Sequence, residues 1–250
     1  MFKVRSKEME LMDSEDFDEV LAEQSFRFIE KVNHWFGGTR IVREFVFSEA
    51  EKLSGKRALR ILDMGSGSCD IPISICQTAK KKGIPLEFTC VELSSHAVNR
   101  AKRLLQNFPD LPVQIVCEDI FTHIGKEQYD IAIGSMFFHH FNDSKILTLM
   151  EYLRKIVTGA VLINDVERCW INYIGALLLA IPESTGVRHD ATISVKKSFH
   201  LKELNKLLKP LDGTTTEVKR QFPFRVRAII RYESPLSKGA KGEIYEKSPC

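Results

Sequence analysis

The chain has 250 residues, 44% hydrophobic and 28% charged, enough for one full α/β core, and its formal charge of +3 is too small to indicate a nucleic-acid partner. Lysines and arginines are scattered, with no run longer than Lys80-Lys81-Lys82, and there is no stretch of eighteen apolar residues to span a membrane. Six cysteines, at 69, 76, 90, 117, 169 and 250, form no C-x-x-C pair and sit mostly in apolar patterns, which suits free thiols in a reduced, cytoplasmic setting.

The first 25 residues are acidic and contain no apolar segment of the secretory kind, so no leader is expected. From 16 to 53, apolar residues recur at helical spacing, first through Val20, Leu21, Phe26, Phe28, Ile29, Val32, Trp35 and Phe36, then through Ile41, Val42, Phe45 and Val46. Gly37-Gly38 followed by Thr39 stops one helix and starts the next. Residues 1 to 55 read as a helical cap or lid, and Trp35 and Phe36 are candidate walls of an acceptor pocket.

Short apolar strands then alternate with amphipathic helices. Strands are expected at 59 to 64, 86 to 92, 113 to 117, 129 to 135 and 159 to 165, with helices near 70 to 82, 95 to 107 and 143 to 155. That alternation predicts a doubly wound, Rossmann-like α/β sheet. The apolar run from 170 to 181 predicts a helix, with core or substrate cover the default reading over dimer contact or peripheral membrane contact. Residues 182 to 198 read as a polar loop and 199 to 208 as a helix, so that a helical insertion spans about 167 to 208. Strands at 214 to 221 and 224 to 232, turned by Gln221-Phe222-Pro223-Phe224, close the sheet as an antiparallel hairpin. The expected sheet is seven-stranded and mostly parallel, within a domain from 56 to 233, and 234 to 250 reads as a flexible tail.

Chemistry concentrates where the first strand meets its helix, at Leu62-Asp63-Met64-Gly65-Ser66-Gly67-Ser68-Cys69-Asp70. Gly65 and Gly67 let a ligand approach the backbone, and Ser66 adds a hydroxyl and an amide. A dinucleotide site would carry glycine where this chain has Asp70, and a carboxylate there repels a diphosphate. Acid in this turn points to a partly cationic ligand, and S-adenosylmethionine, with a sulfonium, an ammonium and no phosphate, fits. Ligands of open α/β sheets lie at the carboxyl ends of the strands. There Glu92, followed by Leu93, is placed to accept from ribose hydroxyls. Asp119 is placed to accept from an adenine amino group, with Ile120 packing on the ring, and Ser135 ends the fourth strand.

As a set, these runs resemble the class I S-adenosylmethionine-dependent methyltransferases. Leu62 to Gly67 looks like their first motif, Val91-Glu92-Leu93-Ser94 their second, Glu118-Asp119-Ile120 their adenine contact, and Tyr129-Asp130-Ile131-Ala132 to His140 their fourth. Cys69 departs from the third glycine of many members. A narrower resemblance, through Val32-Asn33-His34-Trp35-Phe36-Gly37-Gly38 and Val187-Arg188-His189-Asp190, is to bacterial small-molecule enzymes with polyketide, quinone or lipid-like products. It implies a small, apolar acceptor and names neither molecule nor atom; the leading expectation is methyl transfer to oxygen or carbon of such an acceptor, with His189 a candidate pocket residue. A quinone-type C-methyltransferase is one alternative and a catalytically silent cofactor-binding sensor another. Three groups are candidate bases, His139 and His140 after the fourth strand, Asp165 with Glu167 after the fifth, and His189 with Asp190 further on, with histidine favoured since it titrates near neutrality. No metal is expected, because Asn164-Asp165 and Asn142-Asp143 lack a diagnostic ligand spacing. Monomer and homodimer both stay open.

Overall fold

The computed structural model describes residues 2–14, 18–53, 57–123 and 127–232. The expected tail at 234 to 250, and Cys250 with it, lie outside these described residues. Chain order is α1 (Glu19–Trp35), α2 (Gly38–Lys52), β1 (Leu59–Met64), α3 (Asp70–Lys82), β2 (Leu86–Glu92), α4 (Ser95–Leu105), β3 (Val113–Cys117), α5 (Ile120–His123), β4 (Tyr129–Ser135) and α6 (Asp143–Ile156). β5 (Val157–Val166), α7 (Trp170–Leu179), α8 (Thr185–Lys197), α9 (Leu201–Leu208), β6 (Thr214–Gln221) and β7 (Arg225–Tyr232) complete it.

The seven strands form one sheet in the order β3-β2-β1-β4-β5-β7-β6. β1 to β5 are parallel, whereas β7 runs antiparallel to both β5 and β6. The strands alternate side chains between two cores. On one face Leu62, Met64, Ala132, Val161 and Ile163 pack with Leu149, Leu153 and Leu204 of α6 and α9. On the other, Ile61, Ile131, Ile133, Ala160 and Leu162 pack with Ile75 and Ala79 of α3. Val42, Phe45 and Val46 of α2 belong to that second core, so α2 is built into the sheet layer.

Local signals explain several starts. Asp18, Ser94 and Asn142 cap α1, α4 and α6 by accepting from the backbone N–H of Leu21, Ala97 and Lys145. The segment 182 to 198, expected as a loop, instead holds α8. Its inward face is Val187, Ala191, Ser194 and Val195, which keep helical spacing around a cavity. Small and polar members of that face dilute the apolar signal by which a helix is recognised. Cysteines 69, 76 and 90 are buried as expected, but Cys117, at the end of β3, is exposed.

Candidate active site

β1 ends in a backbone that only glycine enters without strain. Gly65 has φ +63°, and its N–H donates to the Val91 carbonyl at 2.9 Å; a Cβ there would lie 2.3 Å from Cδ2 of Phe137. Gly67 has φ +55°, and its N–H donates to Oε2 of Glu92 at 2.8 Å, while a Cβ on it would meet nothing within 4 Å. That empty space is the wall of a cavity of about 610 Å³ over the carboxyl ends of β1 to β4.

All ten residues that the strand ends single out for a cofactor line this cavity, together with His139 and His140. Seven carboxylate side chains face it, and among the described residues no lysine or arginine does. Burial pushes Asp63 well above the usual carboxylate range, and the charges of Asp70 and Glu92 add to the push. Burial likewise raises Asp70 to about 6, although Asn33 Nδ2 donates to its Oδ2 at 3.2 Å. Glu92 is also raised by burial, against the pull of backbone donors at Ser94, Gly67 and Leu93. Ionising these three carboxyls together is costly in this enclosed setting, and a bound cation would lower that cost.

On the opposite rim stands a network rooted in the first segment of the chain. His139 is fully enclosed, with Nδ1 2.8 Å from Oδ1 of Asp165 and Nε2 3.6 Å from Oε1 of Glu10. Burial alone would strip its charge, but Asp165 and Glu10 outweigh it and lift its pKa to about 9. Burial also opposes ionisation of Glu10 and Asp165; their contacts with His139 nevertheless hold both below the usual carboxylate range. His140 Nδ1 lies 3.0 Å from Oδ2 of Asp13. Glu10, His139 and His140 each present an atom within 4.8 Å of the others, a spacing that could serve a metal ion. The Lys197 ammonium, 3.0 Å from Glu10 Oε1 and 3.4 Å from His140 Nδ1, already supplies the positive charge there.

A second, smaller cavity of about 110 Å³ adjoins the first, walled by α1, α7, α8 and the start of β7, and mostly apolar. Glu10, Met12, Ile29, Met136 and Ser194 line both. Met136, with φ +57°, holds a left-handed conformation at this junction, a strain typical of positions where a chain is forced to aim a side chain. Phe36 lines the smaller cavity, its ring 6.1 Å from that of Phe224. Trp35 does not reach either cavity: it is 73% exposed, edge-on to His34. His189 also stands outside both, half-buried between Asp190 at 3.1 Å and Glu8 at 3.3 Å; it is the neighbouring Asp190 that lines the smaller cavity. Glu10, which lines both cavities, and Arg225, which lines the smaller, were missed because neither sits in a local pattern that marks it.

A family model described as a methyltransferase domain matches residues 61–159, from β1 into β5. No curated protein sequence matches the chain. Among solved structures, the plantazolicin methyltransferase BpumL, in complex with a pentazolic desmethylPZN analog and SAH, is similar with a TM-score of 0.62 and 16% identity, over 86% of this chain and 96% of that one. The magnesium protoporphyrin IX methyltransferase ChlM from Synechocystis PCC 6803, with bound SAM, gives 0.53 and 13% over 79% and 80%. A SAM-dependent methyltransferase from Aquifex aeolicus gives 0.58 and 12% over 86% and 99%. At such identities the likeness is one of fold.

Proposed function

On the premise of a methyltransferase domain carried by this doubly wound sheet, we propose that the chain is an S-adenosylmethionine-dependent methyltransferase whose acceptor is a small, largely apolar molecule methylated on oxygen or carbon. The observation that carries this reading is the acidic cavity: seven carboxylates and, among the described residues, no lysine or arginine line it. A diphosphate would be repelled there, whereas a ligand with an ammonium and a sulfonium relieves Asp63, Asp70 and Glu92. When bound, S-adenosylmethionine supplies an electrophilic methyl group for in-line displacement.

The chain's own residues do the rest. Gly67 leaves room for the ligand against the backbone. Glu92 uses one oxygen for Gly67 N–H and the other for Ser94 N–H, and each keeps a lone pair for a ribose hydroxyl. Asp119 would accept from an adenine amino group with Ile120 against the ring, and Asp63 and Asp70 would hold the cationic end. The smaller cavity takes the acceptor, and its shared wall with the larger one brings nucleophile and methyl donor together in a space lined by few polar groups, where alignment and exclusion of water supply much of the rate. α1 and the segment carrying Glu10 act as the cover.

His139 is not a base in this arrangement. It already holds a proton between Asp165 and Glu10, and an imidazolium has no lone pair to accept another. An acidic phenol or enol, or a carbon nucleophile, needs no such help.

The test is transfer of a labelled methyl from S-adenosylmethionine into a panel of phenols, enols and quinols, with calorimetry of S-adenosylhomocysteine and of NAD. Labelled product and binding of the homocysteine compound are expected. Binding of NAD without it would overturn the assignment, and tight cofactor binding with no transfer to any acceptor would favour a silent sensor.

A further inference from the structure

Arg225, the first residue of β7, is 1% exposed and lines the smaller cavity. Its Nε donates to the Phe36 carbonyl at 3.1 Å and its Nη2 to Oδ1 of Asn33 at 3.1 Å, but Nη1 has no partner. Both partners are neutral, and among the described residues no carboxylate lies within ion-pair distance of the guanidinium. Burial draws its pKa down to about 10, with Asp165 and Asp70 opposing from further off. A buried charge without a counter-ion is costly, and proteins seldom keep one without a use.

The other charges in the cavity are answered. Glu10 takes the Ser194 hydroxyl and the Lys197 ammonium, and Asp190 accepts from the N–H groups of Leu11 and Met12. Three further buried polar atoms on the same walls, Glu10 Oε1, Ser25 Oγ and Asn172 Oδ1, have no hydrogen-bond partner, and of these Glu10 Oε1 is answered by the Lys197 ammonium at 3.0 Å. An apolar chamber that holds one uncompensated cation and two idle polar atoms is shaped for a ligand with an apolar body and an oxygen-bearing end.

We propose that Arg225 is the specificity-determining residue of the acceptor site, and that the acceptor carries an anionic oxygen, a carboxylate or the oxyanion of an acidic enol, which Arg225 engages. This rests on the reading of the smaller cavity as the acceptor site. The cavity's volume suits a single ring or a short branched chain with that group attached. Further along the cavity wall, the Ser25 hydroxyl and Asn172 Oδ1 are free to engage other polar atoms of the same ligand.

The probes are 4-hydroxybenzoate and its neutral isostere 4-hydroxybenzamide, titrated calorimetrically into the full chain with and without S-adenosylhomocysteine. The acid should bind at least ten-fold more tightly than the amide, and Arg225→Gln should abolish the difference. Because that variant removes two buried hydrogen bonds on which folding can depend, the wild-type protein labelled with ¹⁵N-arginine gives a second readout: the Arg225 Nε–H resonance should shift with the acid and stay in place with the amide. Equal affinity for the two, binding of neither at millimolar concentration, or an unmoved resonance would overturn the proposal. Homocysteine-compound binding without acid preference would overturn it alone, whereas acid preference without homocysteine-compound binding would overturn only the methyltransferase reading.

Discussion

Replacing Asp70 with asparagine should make the empty protein more stable while weakening its hold on the cofactor. Asp70 opens α3, and burial, aided by Glu30, moves its carboxyl from 3.8 to about 6. At about 1.4 kcal/mol per pH unit that displacement corresponds to about 3 kcal/mol for a fully enclosed group. Asp70 is half-buried, so solvent screening trims the expected effect to about 1.5 kcal/mol. The sign follows from the direction. A folded pKa raised above the unfolded one favours the neutral form, so its contribution to stability is complete below about pH 3.8 and is lost as pH rises through about 6. Asparagine cannot ionise and escapes that loss, and its amide oxygen can still accept from Asn33 Nδ2. Urea unfolding at intervals from pH 4 to pH 8 should therefore show two curves that converge at pH 4 and separate by about 1.5 kcal/mol at pH 7.5. Calorimetry with S-adenosylhomocysteine should show about a ten-fold loss of affinity, since the ligand ammonium loses one carboxylate. A variant less stable than wild type at pH 7.5, or a gain independent of pH, would refute the account of Asp70 as a strained acid waiting for a cation.

The two glycines of the turn should respond differently to alanine. Gly65→Ala drives a Cβ to 2.3 Å from Phe137 at a positive φ and should cost about 3 kcal/mol in thermal or urea unfolding. Gly67→Ala meets no atom within 4 Å, so it should cost only about 1 kcal/mol while lowering affinity for S-adenosylhomocysteine at least about ten-fold; equal destabilisation by both would count against the geometry of the turn. Glu10→Gln should lower the His139 pKa from about 9 by about one pH unit, leaving it above 6.5 because Asp165 remains. Since a raised histidine pKa supports the fold below about 6.5 and loses that support as pH rises through about 9, the variant's alkaline loss of stability should begin earlier; an NMR titration of the imidazole with an unchanged midpoint would sink this view of the network.

The parts of the site legible in the chain were those whose chemistry is adjacent in sequence. A strand that runs into Gly65-Ser66-Gly67, and acids that sit where strands stop, carry their meaning within a few residues, because the sheet places every parallel strand's carboxyl end at the same edge. α8 was not legible, because the residues it turns toward the cavity include alanine and serine, whose partial cover comes from α1 and α7. Glu10 was hidden for another reason: it is one acid among many in an acidic segment, and only the arrival of His139 and Lys197 from more than a hundred residues away gives it a task. Trp35 misled because an aromatic residue at helical spacing looks inward on paper, yet α1 ends at that residue and the ring falls outside the packed face.

The run Asn33-His34-Trp35-Phe36-Gly37-Gly38 shows how a motif can precede its explanation. Three of its members converge on one side chain: Asn33 Oδ1 and the Phe36 carbonyl accept from Arg225, and a Cβ on Gly38 would stand 2.8 Å from Nη2 of that arginine and 2.7 Å from Asn33 Oδ1. The motif is thus a cradle for a guanidinium supplied by a strand nearly two hundred residues later. Asn33 has a second duty, since its Nδ2 donates to Asp70. One amide therefore joins the arginine of the smaller cavity to the acid of the larger one, its oxygen fixed by the cation and its nitrogen by the anion. If both cavities fill in the way proposed, an anionic acceptor at Arg225 and a cationic cofactor at Asp70 would each satisfy one end of the same relay, and each would favour the Asn33 orientation that the other requires.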